Sequence, residues 1–336
     1  MIIQLEKGII DKDQELILDK IKDIGYKSRS VITQKSDYLV CIGKKEFDIR
    51  VIGKLNGVRD VHRVSDDYKL VSRKWKVKAS MVNLGDKVVI KEGGMSIAAG
   101  PCSIENEDQV KSILKHLKKN GISIMRGGVF KPRSSPYSFR GLGIEGLKMF
   151  YNEAKRNKIK IITEVMQVSQ IEEMYDYVDV FQVGARNTQN YNLLDALGEQ
   201  DKPVLLKRGV SGTIDELLYS AEYIFSGGNE RLILCERGIR TYENAYRNTL
   251  DLNAIPILKE KSHLPVFVDP SHGIGIRKHV ASMALAGVMA GADGVLLEIH
   301  EKPEEAFSDG QQTLNFEESN QLFKNIKKAF ELRIGI

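Results

Sequence analysis

The feature that most constrains the fold is a series of short apolar runs that alternate with amphipathic helical segments from Ser96 onwards. The runs are almost continuously apolar, as expected of parallel strands that are buried on both faces. Eight strand–helix units predict a (β/α)8 TIM barrel, which usually takes about 250 residues. The eight runs are SIAAGP, SIMRGGV, IKIITEV, VDVFQVG, KPVLLKRG, RLILCERG, LPVFVDPSH and GVLLEIH.

An open doubly wound sheet is the alternative for this alternation of strands and helices. Such a sheet more often carries a GxGxxG turn after its first strand, where a dinucleotide binds. No such turn follows SIAAGP, so the pattern favours the closed barrel.

The first 70 residues have a different pattern, in which strand and helix signals follow the order βαββαβ. That order is typical of a ferredoxin-like domain. We therefore predict a ferredoxin-like domain at residues 1–70, a linker and hairpin at residues 71–95, and the barrel at residues 96–336. From sequence alone, the small domain could equally serve stability, oligomerisation or regulation.

Residues with functional side chains stand where the predicted barrel strands end, which is the face that carries the active site in TIM barrels. Closure of the barrel makes the last strand a neighbour of the first, so side chains from strands 1, 7 and 8 lie side by side. In strand order, these residues are Cys102, Arg126, Glu164, Arg186, Lys207, Glu236, Arg237, Asp269, His272, Glu298 and His300.

Cys102, His272 and Glu298 come from those neighbouring strands, and Asp309 follows in the polar loop FSDGQQTL. Taken singly, a buried cysteine, a core histidine and a turn aspartate are the simpler interpretations. Taken together, a thiol, an imidazole and two carboxylates suit a divalent transition ion better than calcium. The four residues predict a catalytic metal site.

The stretch MRGGVFKPRSSPYSFRG contains four cations and no acid: Arg126, Lys131, Arg133 and Arg140. Arg186, Lys207 and Arg237 add further cations from strands 4, 5 and 6. Some of these could pair with Glu164 or Glu236, but six unpaired cations at one mouth would repel one another. We therefore expect an anionic ligand with two phosphates, or with a phosphate and a carboxylate.

Composition narrows the class of protein. The net charge of +5 is spread along the chain, which argues against nucleic acid as the main partner. No apolar run reaches the roughly 18 residues of a membrane helix, and the start MIIQLEKGIIDKD lacks a signal-peptide pattern, so we expect a cytoplasmic protein. We expect four histidines away from the strand ends at the surface, namely His62, His116, His263 and His279.

Several long motifs occur in order along the chain: AGPCSIE, RGGVFKPRSSPYSFRG, QVGARN, PVLLKRG, LCERGIRTYE, DPSHGIG and GVLLEIH with SDGQQTL. Because they are long and ordered, they are highly specific to one family. In these motifs the sequence resembles the metal-dependent 3-deoxy-D-arabino-heptulosonate 7-phosphate (DAHP) synthases. The resemblance spans the whole chain, including a ferredoxin-like N-terminal domain. It implies condensation of phosphoenolpyruvate with erythrose 4-phosphate and water.

The resemblance also implies roles for single residues. It makes Cys102, His272, Glu298 and Asp309 ligands of a divalent metal, with Mn²⁺ favoured over Fe²⁺, Co²⁺ and Zn²⁺. Lys131 would also deliver a proton, with His272 assisting. The residues for phosphoenolpyruvate would be Arg126, Lys131, Arg186, Lys207 and Arg237, and those for the phosphate of erythrose 4-phosphate would be Arg133 and Ser134.

The resemblance also implies feedback inhibition by tyrosine or phenylalanine through residues 1–70. Such inhibition would arise if the domain covers the barrel mouth. A homotetramer is a further expectation from the resemblance. The nearest alternative is 3-deoxy-D-manno-octulosonate 8-phosphate synthase, whose sugar-phosphate turn typically reads KANRSS, whereas this chain has KPRSSP. A non-catalytic sensor is a third possibility, but no motif position is missing.

Overall fold

The computed structural model describes residues 1–131 and 137–336. Within them, eight parallel strands close into a barrel in sequential order, which confirms the predicted TIM barrel. Leu296 of the last strand pairs with Ala98 of the first at the closure. The barrel strands are β7 (Ser96–Gly100), β8 (Ile124–Arg126), β9 (Lys160–Val165), β10 (Val180–Val183), β11 (Val204–Lys207), β12 (Leu232–Glu236), β13 (Val266–Val268) and β14 (Gly294–Glu298).

Helices surround the barrel, and capping residues define where several of them begin. Thr213 and Glu216 form a reciprocal capping box at the start of one helix, and Asn315 and Glu318 do so at another. The described helices of this part are α3 (Glu107–Lys119), α4 (Gly143–Arg156), α5 (Ser169–Met174), α6 (Tyr191–Gly198), α7 (Ile214–Ser226), α8 (Ala254–Lys261), α9 (Pro270–Ile274), α10 (Arg277–Met289) and α11 (Phe316–Ile334).

A hairpin of β5 (Met81–Gly85) and β6 (Val88–Lys91) closes the end of the barrel where the strands begin. Its side chains Val82 and Ile90 pack into the apolar barrel interior, and Asp86 pairs with Lys160, the first residue of β9, at 2.8 Å. Asp86 and Lys87 both have positive φ, as a two-residue hairpin turn requires. The active-site end therefore lies on the opposite face.

The N-terminal unit is a four-stranded antiparallel sheet with strand order β2-β3-β1-β4, the ferredoxin-like arrangement predicted from sequence. The second predicted helix is only one turn, α2, because β-branched residues and Gly53 disfavour a longer helix there. The elements are β1 (Ile2–Leu5), α1 (Asp11–Asp23), β2 (Lys27–Ile32), β3 (Asp37–Ile42), α2 (Arg50–Gly53) and β4 (Val58–His62). The division of the chain at residues 70 and 95 stays a prediction.

The sheet packs directly against the barrel. The ring of Tyr38 contacts both Trp75 and Phe225, with ring centroids 5.3 and 6.5 Å away. The carboxylate of Glu222 in α7 accepts hydrogen bonds from the backbone N–H groups of Leu70 and Val71, at 2.8 and 3.0 Å. The N-terminal unit and the barrel therefore share a continuous apolar core.

His263 corrects the expectation of a surface histidine, because its side chain is fully buried in this contact region. One ring nitrogen lies 3.0 Å from the Ser80 hydroxyl and the other 2.8 Å from the Leu70 carbonyl oxygen. Thr33, which follows β2, donates at 3.1 Å to the carboxylate of Glu230, which comes shortly before β12, so the N-terminal unit docks near the end of the barrel where the strands begin. Among the helices of the described residues, none has the length and apolar character needed to cross a membrane.

Candidate active site

The carboxyl ends of the barrel strands surround a polar cavity of about 220 Å³. The cavity brings together most of the site residues that were predicted from sequence. Its walls include the cations Arg126, Lys131, Arg186, Lys207 and Arg237, together with His272 and Asp309. Arg133 and Ser134, which were predicted to bind a sugar phosphate, lie outside the described residues.

The four predicted metal ligands form one compact cluster. The Cys102 sulfur lies 3.2 Å from Oδ2 of Asp309. Nε2 of His272 lies 3.3 Å from Oε1 of Glu298 and 3.8 Å from Oδ2 of Asp309. Ligand atoms of Cys102, Glu298 and Asp309 all lie within 4.8 Å of one another, which is close enough to share one ion.

The fold determines where each member of the cluster sits. Glu298 is the last residue of β14, and its backbone N–H donates to the Ser271 hydroxyl at 3.0 Å. His272 is on the short helix α9, and the N-cap residue Asp269, just before this helix, accepts a hydrogen bond from the His272 backbone N–H. Asp309 has φ +55°, a left-handed conformation that aspartate tolerates better than most residues.

The Asp309 loop is tied to the loop after the first barrel strand. The Ser103 and Ser308 hydroxyls lie 2.7 Å apart, and Glu105 accepts a hydrogen bond from the Phe307 N–H at 2.8 Å. These contacts bring Asp309 against the part of the barrel that carries Cys102. Cys102 and Asp309 are therefore in contact although 207 residues separate them in the sequence.

The donor set fits a divalent metal. Nδ1 of His272 lies 2.8 Å from Oδ2 of Asp269. With the imidazole proton on Nδ1, the other nitrogen, Nε2, presents its lone pair to the cluster. Nε2 is then an acceptor that lies within 4 Å of carboxylate oxygens of both Glu298 and Asp309, and a cation among these three acceptors would satisfy them all. Thiolate, imidazole and carboxylate together suit a first-row transition ion.

Burial shapes the protonation of the cluster. Desolvation, followed by the charge of Glu298, raises the pKa of the Cys102 thiol to about 11. Desolvation also lowers the pKa of His272, which keeps the imidazole neutral and able to act as a ligand. Burial opposes ionisation of Asp309, but Arg247 and His272 outweigh it and lower its pKa to about 2.

Two of the cations are paired, as the sequence allowed, but with Glu298 and Asp269 instead of Glu164 or Glu236. Arg126 contacts Glu298 at 3.1 Å, and Lys207 contacts Asp269, because these carboxylates are buried and need cationic partners. Arg237 donates to the carbonyl oxygens of Gly238 and His272. Within the described ranges, Arg237 has no carboxylate at ion-pair distance, so it remains available to an anion.

Lys131 connects the cations to the predicted metal ligands. Its buried Nζ lies 3.1 Å from the Cys102 carbonyl oxygen and 3.0 Å from the Cys102 sulfur. Burial alone lowers the pKa of Lys131, but the Cys102 thiol and nearby carboxylates outweigh it and raise that pKa. The ammonium group therefore contacts Cys102 and lines the same cavity as the other cations.

Several further residues that line the site were not predicted from the sequence. Gln182, Arg240, Arg247 and Asn248 also line the cavity. Arg240 stands inside the motif LCERGIRTYE, so its motif was a usable signal. Arg247 and Asn248 lie in the long polar segment between β12 and α8, where no periodic pattern points to them.

Comparison with known proteins assigns this arrangement to a family. A sequence profile described as the DAHP synthetase I family matches residues 76–333. The chain belongs to the DAHP synthetase I family. Within that family it is similar to the phospho-2-dehydro-3-deoxyheptonate aldolase of Thermotoga maritima, with 41% identity over 329 residues that cover 98% of this chain and 97% of the relative.

One further relative and two solved structures are also similar to this member of the DAHP synthetase I family. A 2-dehydro-3-deoxyphosphooctonate aldolase of Syntrophobacter fumaroxidans is 33% identical, over 68% of this chain and 85% of the relative. The crystal structure of the Thermotoga maritima enzyme has a TM-score of 0.79 at 40% identity and covers 98% of this chain and 97% of that structure. A truncated form of the Thermotoga maritima synthase has a TM-score of 0.74 at 42% identity and covers 79% of this chain and 97% of that structure.

Proposed function

We propose that this protein is a 3-deoxy-7-phosphoheptulonate synthase. It condenses phosphoenolpyruvate with erythrose 4-phosphate and water to give DAHP and phosphate, the first step of the shikimate pathway. The observation that carries this proposal is the contact of Lys131 with Cys102. It joins a cluster of metal-ligand side chains to a group of phosphate-binding cations in one cavity of a DAHP synthetase I family member.

Cys102, His272, Glu298 and Asp309 would hold the divalent metal, for which Mn²⁺ is the first candidate and Fe²⁺, Co²⁺ and Zn²⁺ are alternatives. When bound, such an ion supplies Lewis-acid polarisation of a carbonyl group. The mutual distances of Cys102, Glu298 and Asp309, the approach of His272 Nε2 to the two carboxylates, and the contact of His272 with Asp269 support this assignment. Metal availability, rather than ligand preference, distinguishes among these ions.

The cations hold the two phosphorylated substrates. Arg186 and Arg237 line the cavity, and guanidinium groups bind phosphate and carboxylate in a bidentate manner. Lys131 and Arg126 extend this surface towards the metal ligands. We assign the phosphate and carboxylate of phosphoenolpyruvate to Arg126, Lys131, Arg186, Lys207 and Arg237, and the phosphate of erythrose 4-phosphate to Arg133 and Ser134.

The reaction forms two bonds and breaks one. Carbon 3 of phosphoenolpyruvate bonds to the aldehyde carbon, and the oxygen of water bonds to carbon 2. Phosphate then leaves carbon 2 with the bridging oxygen, which generates the ketone of the product. The water gives up two protons in total, of which one ends on the former aldehyde oxygen and the other leaves with the phosphate. The ammonium group of Lys131 is our candidate donor to the aldehyde oxygen and is recharged by the water, with His272 assisting the proton transfers.

We further propose that tyrosine or phenylalanine binds the N-terminal unit and inhibits the enzyme. This unit contacts Glu230 through the Thr33 hydroxyl, near the end of the barrel opposite the cavity. The expectation that it covers the mouth therefore requires the unit to move or to come from another copy of the chain. A homotetramer in the cytoplasm is our proposal for the assembly, and it rests on the resemblance to DAHP synthases.

The substrate is tested by comparing two aldehydes. Consumption of phosphoenolpyruvate by the Mn²⁺-supplied protein is measured with erythrose 4-phosphate and, in parallel, with arabinose 5-phosphate. We expect kcat/KM to favour erythrose 4-phosphate by about a hundredfold or more. Preference for arabinose 5-phosphate would make the protein an octulosonate 8-phosphate synthase, and no consumption with either aldehyde would favour the non-catalytic sensor.

A further inference from the structure

Gln312 occupies a buried position between one proposed metal ligand and an arginine. Its side chain has no solvent exposure. Its Nε2 donates to Oε2 of Glu298 at 2.6 Å, and its Oε1 accepts from the Arg247 guanidinium at 2.6 Å. Both ends of the amide are therefore engaged.

The chemistry of the two neighbours dictates the orientation of this amide. An ionised carboxylate only accepts hydrogen bonds, and a guanidinium only donates them. Glutamine has a donor and an acceptor at the same end of its side chain, so it can bridge the two in one orientation only. Oε2 of Glu298 is held by this bridge, and Oε1 faces Arg126 and His272 at 3.1 and 3.3 Å.

Arg247 reaches a second proposed ligand at the same time. The guanidinium nitrogen that donates to Gln312 lies 3.5 Å from Oδ2 of Asp309. The backbone beneath it is firmly placed, because the Arg247 N–H donates to the Ile274 carbonyl oxygen at 3.1 Å. Gly275 has φ +69°, and a β-carbon there would collide with the Arg247 side chain.

We propose that Gln312 and Arg247 are positioning residues that set the orientation of Glu298 and Asp309 for metal binding. The inference rests on the proposed function, because it assumes that these two carboxylates are ligands. The bridge leaves Oε1 of Glu298 facing the other ligands, and Arg247 links the two carboxylates by contacting Asp309 directly and Glu298 through Gln312. Removing the bridge frees the Glu298 carboxylate to rotate.

The test is a Co²⁺ titration of the chelator-stripped full-length protein, in which absorption bands report both the affinity and the coordination geometry. Gln312→Met keeps the length of the side chain and removes both hydrogen bonds. We expect a ten- to hundredfold weaker affinity for Co²⁺, as is typical when a partner of a metal ligand is lost, together with shifted cobalt bands. Arg247→Lys retains the positive charge and removes the guanidinium fork, so we expect a weakening of about tenfold.

A matched control separates this role from the general cost of losing a buried amide. Gln170 in α5 is also buried, and its Oε1 accepts a hydrogen bond from the Met166 N–H at 2.9 Å. Gln170→Met should leave the affinity and the bands unchanged. If Gln312→Met is poorly folded by thermal unfolding, Arg247→Lys decides the question, because the Arg247 side chain is partly exposed and its loss spares the core.

Cys102→Ser distinguishes failure of this inference from failure of the proposed function. Its Co²⁺ complex should lose the absorption that arises from a thiolate ligand. If Cys102→Ser has this effect but Gln312→Met and Arg247→Lys bind Co²⁺ as the Gln170→Met control does, the positioning role is wrong and the metal site stands. If Cys102→Ser changes nothing, the metal site itself is wrong, and the inference falls with it.

Discussion

Asp269 holds His272 in place, with Oδ2 of the carboxylate 2.8 Å from Nδ1 of the imidazole. The same carboxylate pairs with Lys207 and caps the helix that carries His272. Burial would raise the pKa of Asp269, but His272 and Lys207 outweigh that effect and lower it well below its ordinary value. One buried carboxylate thus orients a proposed metal ligand and a proposed substrate-binding cation.

Asp269→Asn should weaken binding of the divalent metal by about ten- to hundredfold, because the neutral amide no longer supports the imidazole as a charged carboxylate does. The measurement is the dissociation constant of Mn²⁺ for the stripped protein. Asp251→Asn is the matched control, since Asp251 pairs with Arg208 at 2.7 Å outside the ligand cluster. Equal affinities of the two variants would contradict the role of Asp269.

Lys131→Ala should lower kcat by about 10²- to 10⁴-fold, the usual contribution of a positioned proton donor. The measurement is kcat at saturating phosphoenolpyruvate and erythrose 4-phosphate, which separates turnover from weaker substrate binding. Lys160→Ala removes a lysine at the opposite end of the barrel and should keep its turnover. Near-normal turnover of Lys131→Ala would remove Lys131 as the donor.

His263 should make the protein sensitive to acid. Desolvation lowers the pKa of His263 to about 3, against an unfolded value of about 6.5. Below about pH 6.5 the unfolded chain binds a proton that the folded chain excludes. The stability contributed by the neutral ring is therefore complete above about pH 6.5 and declines towards pH 3, by about 1.4 kcal/mol per pH unit.

The measurement for His263 is the free energy of unfolding in urea between pH 7 and pH 4.5, for the wild type and for His263→Gln. Glutamine stays neutral and can still bond Ser80 and Leu70, so its curve should fall less steeply with decreasing pH. The comparison of slopes cancels the other titrating groups. Parallel curves would show that His263 does not titrate as we expect.

Deleting residues 1–70 should abolish inhibition by tyrosine or phenylalanine while phosphoenolpyruvate consumption continues. The deletion exposes Phe225, on which Tyr38 packs, so a loss of stability is expected as well. A truncated form of the Thermotoga maritima synthase is among the structures that resemble this chain. Inhibition that persists in the shortened protein would place the effector site elsewhere.

The sequence was sufficient to predict the barrel and the cluster of metal-ligand residues for a physical reason. Strands buried on both faces must be apolar along their whole length, which makes all eight visible, and closure of the barrel makes strands 1 and 8 neighbours. The proximity of Cys102 and Glu298 follows from that topology. The ferredoxin-like unit was predictable because its alternation of strands and helices differs from the barrel pattern.

Pairing among the side chains could not be predicted, because it depends on distances that the strand order leaves open. The sequence does not identify a carboxylate partner for Arg126 or Lys207. In the fold, Arg126 pairs with Glu298 and Lys207 pairs with Asp269. His263 lies in a segment without periodicity, and its burial depends on contacts with Ser80 and Leu70, which are distant in sequence. The sequence around Gln312 is a polar loop with no sign of a special role, because its contact with Arg247 depends on the fold.

Metal dependence of the synthase is tested most directly by phosphoenolpyruvate consumption with erythrose 4-phosphate in chelator-stripped protein, before and after Mn²⁺ is restored. We expect no turnover in the stripped protein, recovery with Mn²⁺, and no recovery in the Cys102→Ser variant. Phosphate should be released in equal amount to the phosphoenolpyruvate consumed. Full turnover by the stripped protein, or normal recovery of Cys102→Ser, would contradict a metal-dependent synthase with these ligands.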